Sequence, residues 1–282
     1  MRTSKILLAF CMIGCLCISG CSTSGPAATQ SISPTSEATY SPTQVSESPS
    51  QSTDTDPATQ TATPTQTTKP VTIPLQQKIK MTDAQRAGKV AYITIDDGPS
   101  KNTEAILAVL KSKGVKATFF LLGKNAEKYP QAVKDIAADG NAIGNHSYSH
   151  VYAQIYASPD TLKDEIVHTN NIIQGIIGQD YKVTLFRFPG GLKQGDPAYT
   201  QVVYDLGMDF YAWSIDSQDS VGGKSSSDVI VQKINSQLGS QKHPVILIHD
   251  ADNKDTTVQA LPAIIDNLRA KGYSFDVIVK NS

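Results

Sequence analysis

Val90-Ala-Tyr-Ile-Thr-Ile95 is an unbroken run of apolar and β-branched residues, and it ends on Asp96-Asp97-Gly98-Pro99. The run reads as a buried strand, and the acids and glycine after it read as the turn that follows. Downstream, Asn102–Lys113 has helical character and stops at Gly114. Ala117–Leu122 is the next strand, Ala126–Asp139 the next helix with Gly140 as its stop, and Ala142-Ile143 a brief strand. Ser158–Ile177 reads as a long helix capped by Ser158 with Pro159 in its first turn. The same rhythm continues with strand Thr184–Phe188, helix Pro197–Leu206, strand Phe210–Ile215 and helix Ser227–Leu238. Strand Pro244–Ile248, helix Val258–Lys271 and strand Phe275–Val279 complete it.

Strand and helix alternate strictly, which predicts an α/β fold with a parallel sheet and crossover helices. About seven such units between Ile79 and the C-terminus fit a closed or nearly closed barrel better than an open sheet.

Upstream of Ile79 the composition changes twice. Arg2 and Lys5 precede an apolar run, Ile6–Ile18, that is shorter than the roughly 20 residues a membrane span needs. It reads as a signal peptide over residues 1–21, and Ile18-Ser19-Gly20-Cys21 resembles a bacterial lipobox. A lipidated Cys21 would anchor the exported protein to the outer face of a cell membrane. Residues 22–78 form the second segment. As far as Pro70 they are almost entirely Ser, Thr, Pro and Gln, too poor in large apolar groups to offset the entropy of ordering. This is a linker, and the third segment, residues 79–282, is the globular domain.

All four cysteines (Cys11, Cys15, Cys17 and Cys21) lie in the first segment. Disulfides cannot staple the domain, and any metal in it must be held by His, Asp or Glu. The net charge of -1 lacks the basic footprint that phosphate contacts leave, which argues against a nucleic-acid partner.

In parallel α/β barrels the reactive groups sit at the C-terminal ends of strands. Five predicted strands here end on ionisable residues: Asp96 and Asp97; His146 and His150; Arg187; Asp216 and Asp219; His249 and Asp250. Two adjacent carboxylates need a cation or a shared proton to be tolerated in one pocket. His146 and His150 stand four residues apart, a spacing that on a helical turn places both imidazoles on one face. Two imidazoles and a carboxylate suit zinc or a similar borderline ion, whereas magnesium or calcium would prefer oxygen throughout. By themselves, Asp96-Asp97 would equally suit a capped turn or the acidic pocket of a receiver domain.

Several segments together resemble the ordered motifs of the polysaccharide deacetylases, the NodB-homology domain. They are Thr94-Ile-Asp96-Asp97-Gly-Pro99, His146-Ser-Tyr-Ser-His150, Arg187-Phe-Pro-Gly190-Gly191, Trp213-Ser-Ile-Asp216-Ser-Gln-Asp219 and Leu247-Ile-His249. The resemblance spans Lys89 to the C-terminus. It implies a distorted (β/α) barrel and metal-dependent removal of acetyl groups from a polysaccharide, N-acetylated sugars of peptidoglycan or a chitin-like glycan first. It further implies that Asp97, His146 and His150 bind the metal (zinc, with cobalt or nickel as alternatives) and that Asp96 is the base, held by Arg187. His249 would be the acid, supported by Asp219. Leu247 would line the acetate pocket, and the Gly190 N–H would donate to the oxyanion.

The chain departs from the family pattern at two points. Gly190 replaces a usual aromatic residue, and Ser220 stands where a tryptophan usually follows the aspartate. Trp213 reads as core rather than as a replacement wall. Tyr148, Tyr152 and Tyr156 recur every fourth residue and read as packing rather than a sugar-stacking stripe. His168 and His243 read as surface residues, and Asp250 as a turn residue. O-deacetylation of xylan-like polymers and a catalytically silent carbohydrate-binding module are the rival readings.

Overall fold

The alternation of side chains along the first strand sets the layers of the molecule. In the computed structural model, which describes residues 79–222 and 225–280, β1 (Val90–Asp96) is buried throughout. Ala91, Ile93 and Ile95 enter one apolar cluster, while Val90 and Tyr92 enter a second, as the period of two in a strand requires. The first cluster includes the apolar stripes of the helices and lies between them and the sheet; the second fills the inside of the curled sheet. Thr94 and Asp96 share the inward face with Tyr92. The expected signal peptide and linker lie outside the described residues.

The order of elements is α1 (Asp83–Ala87), β1, α2 (Thr103–Lys113), β2 (Thr118–Leu121), α3 (Gly123–Lys128), α4 (Pro130–Ala138), β3 (Ala142–Asn145), α5 (Tyr152–Ile155) and α6 (Pro159–Ile177). After these come β4 (Leu185–Phe186), α7 (Pro197–Asp205), β5 (Asp209–Phe210), β6 (Ile215–Asp216), α8 (Ser227–Leu238), β7 (Val245–His249), α9 (Asp255–Ala270) and β8 (Ser274–Phe275). Strands lie side by side in the order β5-β4-β3-β2-β1-β7-β6, and β8 pairs with the start of β1. Every pairing is parallel, so all the C-terminal ends lie on one rim.

Helix signals in the sequence hold where they are local. Gly114 ends α2 in the left-handed conformation (φ 60°), and Ser158 with Thr161 closes a capping box on α6 with Pro159 in its first turn. Three expectations are corrected. The helix expected over Ala126–Asp139 is two, because Pro130 forces Tyr129 out of helical geometry (φ -126°, ψ 57°). The last strand is shorter than expected, covering only Ser274-Phe275.

The third correction decides the shape. The single strand expected over Phe210–Ile215 is two short ones, β5 and β6, at opposite ends of the strand order. Seven strands side by side in a flat sheet would set those edges roughly 29 Å apart. The five steps from Phe210 to Ile215 span at most about 18 Å. The sheet therefore has to curl until its edges nearly meet, a barrel with one open seam. Residues 211–214 cross the seam, bonded at one side through Tyr211 N to Phe186 O (2.9 Å) and at the other through Ser214 N to Val245 O (2.9 Å).

Arg187 fills that seam from inside. Its Nε donates to Tyr211 O (2.9 Å) and its Nη2 to Ala212 O (3.1 Å), while Nη1 donates to Thr94 Oγ1 (2.7 Å) and Asp96 Oδ1 (2.8 Å). The guanidinium lies 4.2 Å above the Phe120 ring. Gly144 makes room for that ring, since a Cβ there would fall 2.6 Å from it.

The side chains of Arg187 and Asp96 are 1% and 3% exposed, so removing one strands the other as an unpaired buried charge. Arg187→Met is expected to lower the unfolding free energy by about 3–5 kcal/mol, and Arg187→Met with Asp96→Asn by less. Urea denaturation of both variants measures this, and equal losses would show that the ion pair is not what matters.

Candidate functional site

The residues that end the strands converge on the rim. Asp96 stands opposite His249 in the β1–β7 register. Asn145, the residue before His146, stands opposite Phe186, the residue before Arg187. Leu247 is buried two residues before His249 and so faces the same way.

Asp97 turns away from the strand with φ 74°, which separates two adjacent carboxylates into different positions. Asn125 fixes this turn by donating to the Asp97 carbonyl (2.6 Å). Asp250 fixes it from the other side. That fully buried carboxylate accepts from the hydroxyls of Ser100 and of Thr103 (2.6 Å), and its own N–H donates to Asp96 O (2.8 Å). A Cβ at Gly98 would fall 2.6 Å from Asp250 Oδ2, so only glycine fits there. Asp250 is thus a turn residue, as expected, and the turn it holds carries Asp97.

His146 and His150 are not on a helix. The segment after β3 is irregular, with Ser147 at φ 74° and His150 at φ 57°. The fourfold spacing brings the rings together (centroids 5.1 Å apart) by a loop and not by a helical turn. Glu165 holds this loop. The buried carboxylate on α6 accepts from Tyr148 N and Ser149 N, both at 2.7 Å. Asn145 Oδ1 adds a bond from Ser147 N (2.7 Å).

Three possible ligand atoms meet here. His146 Nδ1 lies 2.9 Å from Arg187 O. A carbonyl only accepts, so Nδ1 carries the proton and Nε2 is the free acceptor. Burial holds this imidazole neutral, its pKa lowered to about 3. Nε2 of His146 and Nε2 of His150 lie 3.6 and 3.5 Å from Asp97 Oδ1. That oxygen is buried and has no hydrogen-bond donor. Two atoms each about 2.1 Å from a shared ion at tetrahedral angles would stand roughly 3.4 Å apart. Asp97, His146 and His150 therefore fit a metal ion, and they form the one such cluster among the described residues.

Asp96 remains outside the trio. Arg187 occupies its Oδ1, and Oδ2 lies 3.7 Å from His146 Nε2. Burial raises its pKa, against the charge and hydrogen bond of Arg187. On the other flank, His249 Nδ1 lies 2.6 Å from Asp219 Oδ1, and His249 N donates to Asp219 Oδ2 (2.9 Å). Burial alone would lower the His249 pKa, but the hydrogen bond and charge of Asp219 raise it to about 9. Asp219 is steadied by Thr257 Oγ1 (2.8 Å) and by Lys254 Nζ on its carbonyl (2.7 Å).

The nine residues to which the resemblance assigns roles lie on this rim or its walls. Gly190 sits in a three-residue turn at φ 63°. Trp213 is half-buried, its ring 5.8 Å from the Arg187 guanidinium and 3.1 Å from where a Gly191 Cβ would stand. It lies in the seam and not within a strand. Of the three tyrosines, only Tyr156 packs on the main core; Tyr148 stacks on the exposed His168 (4.4 Å). His243 is half-buried and bonded to Gln85 O.

Glu165 and Thr257 were missed in the sequence. Both interrupt otherwise apolar helix stripes: Leu162, Ile166, Thr169 and Ile173 around Glu165, and Ala260, Leu261 and Ile264 after Thr257. A polar residue on a buried stripe is the signal that could have found them.

Comparison with known proteins gives the same answer as the geometry. The profile described as polysaccharide deacetylase matches residues 83–211. A Bacillus cereus peptidoglycan-N-acetylglucosamine deacetylase is 35% identical over 198 residues, covering 69% of this chain and 71% of the relative. The chain belongs to the polysaccharide deacetylase family. A peptidoglycan-N-acetylmuramic acid deacetylase of Bacillus subtilis, PdaC, is 34% identical over 66% of this chain and 37% of its own length. The solved catalytic domain of a peptidoglycan N-acetylglucosamine deacetylase from Eubacterium rectale superposes with a TM-score of 0.62 at 33% identity, over 69% of this chain and 90% of that one. The curled parallel barrel is thus the family's fold, and the family's chemistry is hydrolysis of acetyl groups from a polysaccharide.

Zinc titrated into metal-free protein is expected to bind one equivalent. Glu165→Ala, which touches no ligand atom, is expected to weaken binding by about tenfold, and His150→Ala by more than that. Unchanged affinity in Glu165→Ala would show that the ligand loop holds its shape unaided.

Proposed function

We propose that the protein is a zinc-dependent N-deacetylase of a cell-wall glycan, carrying its domain on a lipid anchor outside the cell. The observation that carries this reading is the division of the carboxylate pair. Asp97 presents an unpartnered oxygen to two imidazoles, while Asp96 is held apart by Arg187 with one oxygen free.

A divalent metal held by Asp97, His146 and His150 would supply Lewis-acid polarisation of the acetyl carbonyl and acidify water beside it. The remaining steps fall to the chain's own groups. Asp96 Oδ2 takes a proton from the attacking water, and its raised pKa makes it a stronger base than an ordinary carboxylate. The Gly190 N–H faces the charge that develops on the carbonyl oxygen; one such donor is worth about 3 kcal/mol in the transition state. The C–N bond then breaks as His249 Nε2 protonates the leaving amine, its Nδ1 being committed to Asp219. Leu247 walls the pocket that holds the acetate methyl.

An amine leaves poorly without a proton, and the Asp219–His249 pair is built to keep one available at neutral pH. That favours amide over ester substrates. The names of the relatives point to peptidoglycan sugars, N-acetylglucosamine in one case and N-acetylmuramic acid in the other. The lipobox-like Ile18–Cys21 supports membrane anchoring, and the Ser/Thr/Pro-rich residues 22–78 would serve as a tether to the wall.

Acetate release from N-acetylglucosamine oligomers, peptidoglycan and acetylxylan tests the reading. Zinc-loaded protein is expected to act on the first two. Release from acetylxylan alone would make it an O-deacetylase, and none from any substrate would leave a silent binding module. Asp96→Asn is expected to lower kcat by about 10²–10⁴ while zinc binding persists.

The pH profile carries a further test. His249 must be protonated to act, so activity is lost as pH rises through its pKa of about 9. Asp219→Asn removes what raises that pKa and leaves the burial that lowers it. The alkaline limb is then expected to move to lower pH, and an unmoved limb would assign it to another group.

A further inference from the structure

Tyr152 belongs to none of the groups given a role above, yet it reaches toward the site from the start of α5, directly after the loop that carries the ligands. Its ring lies 5.2 Å from that of His150, tilted by 52°. Its hydroxyl stands 2.7 Å, and its Cζ 2.9 Å, from the point a Cβ on Gly190 would occupy. The ring therefore spans from the proposed ligand His150 to the Gly190 turn and fills, from the start of α5, the volume that the turn leaves open by having no side chain.

Two contrasts set Tyr152 apart from a packing residue. Tyr156, next along the ladder (ring centroids 6.4 Å apart), spends its hydroxyl on Pro189 O (2.8 Å) and packs on the core. Tyr199 in turn donates to Tyr156 O (2.9 Å). Tyr156 ties down the Pro189–Gly190 turn through its bond to Pro189 O, and Tyr199 braces Tyr156. Tyr152 is 43% exposed and its hydroxyl makes no hydrogen bond among the described residues. The exposed Val151 (50%) is its neighbour in the chain, and Leu192 (45%) follows the Gly190–Gly191 turn. An aromatic face with a free hydroxyl at the lip of a polar cleft is suited to a ligand with both an apolar C–H face and hydroxyl groups, which is the chemistry of a pyranose.

We infer that Tyr152 is a substrate-contacting residue that sets specificity: its ring is the wall against which the acetylated sugar packs beside Gly190, and its hydroxyl bonds to that sugar. The inference rests on the deacetylase reading for the identity of the ligand, and binding tests it separately from turnover. With zinc bound and Asp96→Asn in place to stop hydrolysis, calorimetry would measure the affinity for an N-acetylglucosamine tetramer. Adding Tyr152→Ala is expected to weaken binding about tenfold, and adding Tyr152→Phe about threefold, with zinc affinity changed by less than about twofold. In the active protein Tyr152→Ala is expected to raise KM more than it lowers kcat.

Tetramer affinity unchanged by Tyr152→Ala would overturn the inference, as would no tetramer binding to Asp96→Asn. A parallel loss of zinc affinity would also overturn it, since the ring would then merely support His150. If the unmutated protein releases no acetate but Tyr152→Ala still weakens tetramer binding, the deacetylase reading fails and the sugar contact stands.

Discussion

The ion pair between Arg187 and Asp96 ties the closure of the barrel to the chemistry on its rim. A guanidinium buried this deeply needs every donor matched, because an unpaired charge in a low-dielectric interior is costly. Arg187 finds its partners on three sides: the seam carbonyls of Tyr211 and Ala212, the hydroxyl of Thr94 and the carboxylate of Asp96. Both carbonyls lie in the segment that crosses between the two edges of the sheet, and Arg187 supplies their donors. The same contact fixes which oxygen of Asp96 is occupied and which is left for a proton. Stability and reactivity thus meet in one side chain, and the sheet cannot open at its seam without releasing the proposed base.

Around that centre, polar groups on the helices and on the loops beside them hold segments that the strands alone would leave loose. Glu165 on α6 holds the histidine loop, Asp250 and Asn125 hold the turn at Asp97, and Thr257 on α9 with Lys254 holds Asp219. Each is a satisfied group at the edge of the core, where a side chain that left would strand its partners without water. The three loops carry, respectively, two imidazoles, the carboxylate between them, and the partner of His249. Precision at the rim comes from this second layer, since four of the five strand ends stop within a residue or two of the functional group and contribute direction more than position.

The family likeness and the geometry bear on different questions. Likeness to peptidoglycan deacetylases over some 70% of the chain gives the fold and the class of reaction. It does not say how a chain with glycine at position 190 and serine at 220 shapes its substrate pocket. Here an aromatic ring from another part of the chain, Tyr152, stands beside Gly190, while Trp213 packs on the inner apolar cluster as the sequence suggested. Residues that border one volume trade side chains across loops, because what a substrate meets is the surface and not the position in a motif.

Much of this was legible in one dimension. The apolar runs and helix caps located most elements, since period and capping act over a few neighbouring residues. The ionisable residues after the runs marked the rim, because parallel strands all end on one side. What the sequence could not decide was anything set by partners far apart in the chain. Phe210–Ile215 has the composition of one strand and is two, because its halves pair with Phe186 on one edge and Val245 on the other. His146 and His150 have helical spacing and meet through a loop, because Glu165, fifteen residues beyond His150, captures the backbone between them. Asp96 and Asp97 are neighbours of one chemical type, and the sequence alone shows only a pair. Their separation into a ligand group and a free carboxylate depends on Arg187 reaching one and Asn125 turning the other, contacts that exist only once the barrel has closed.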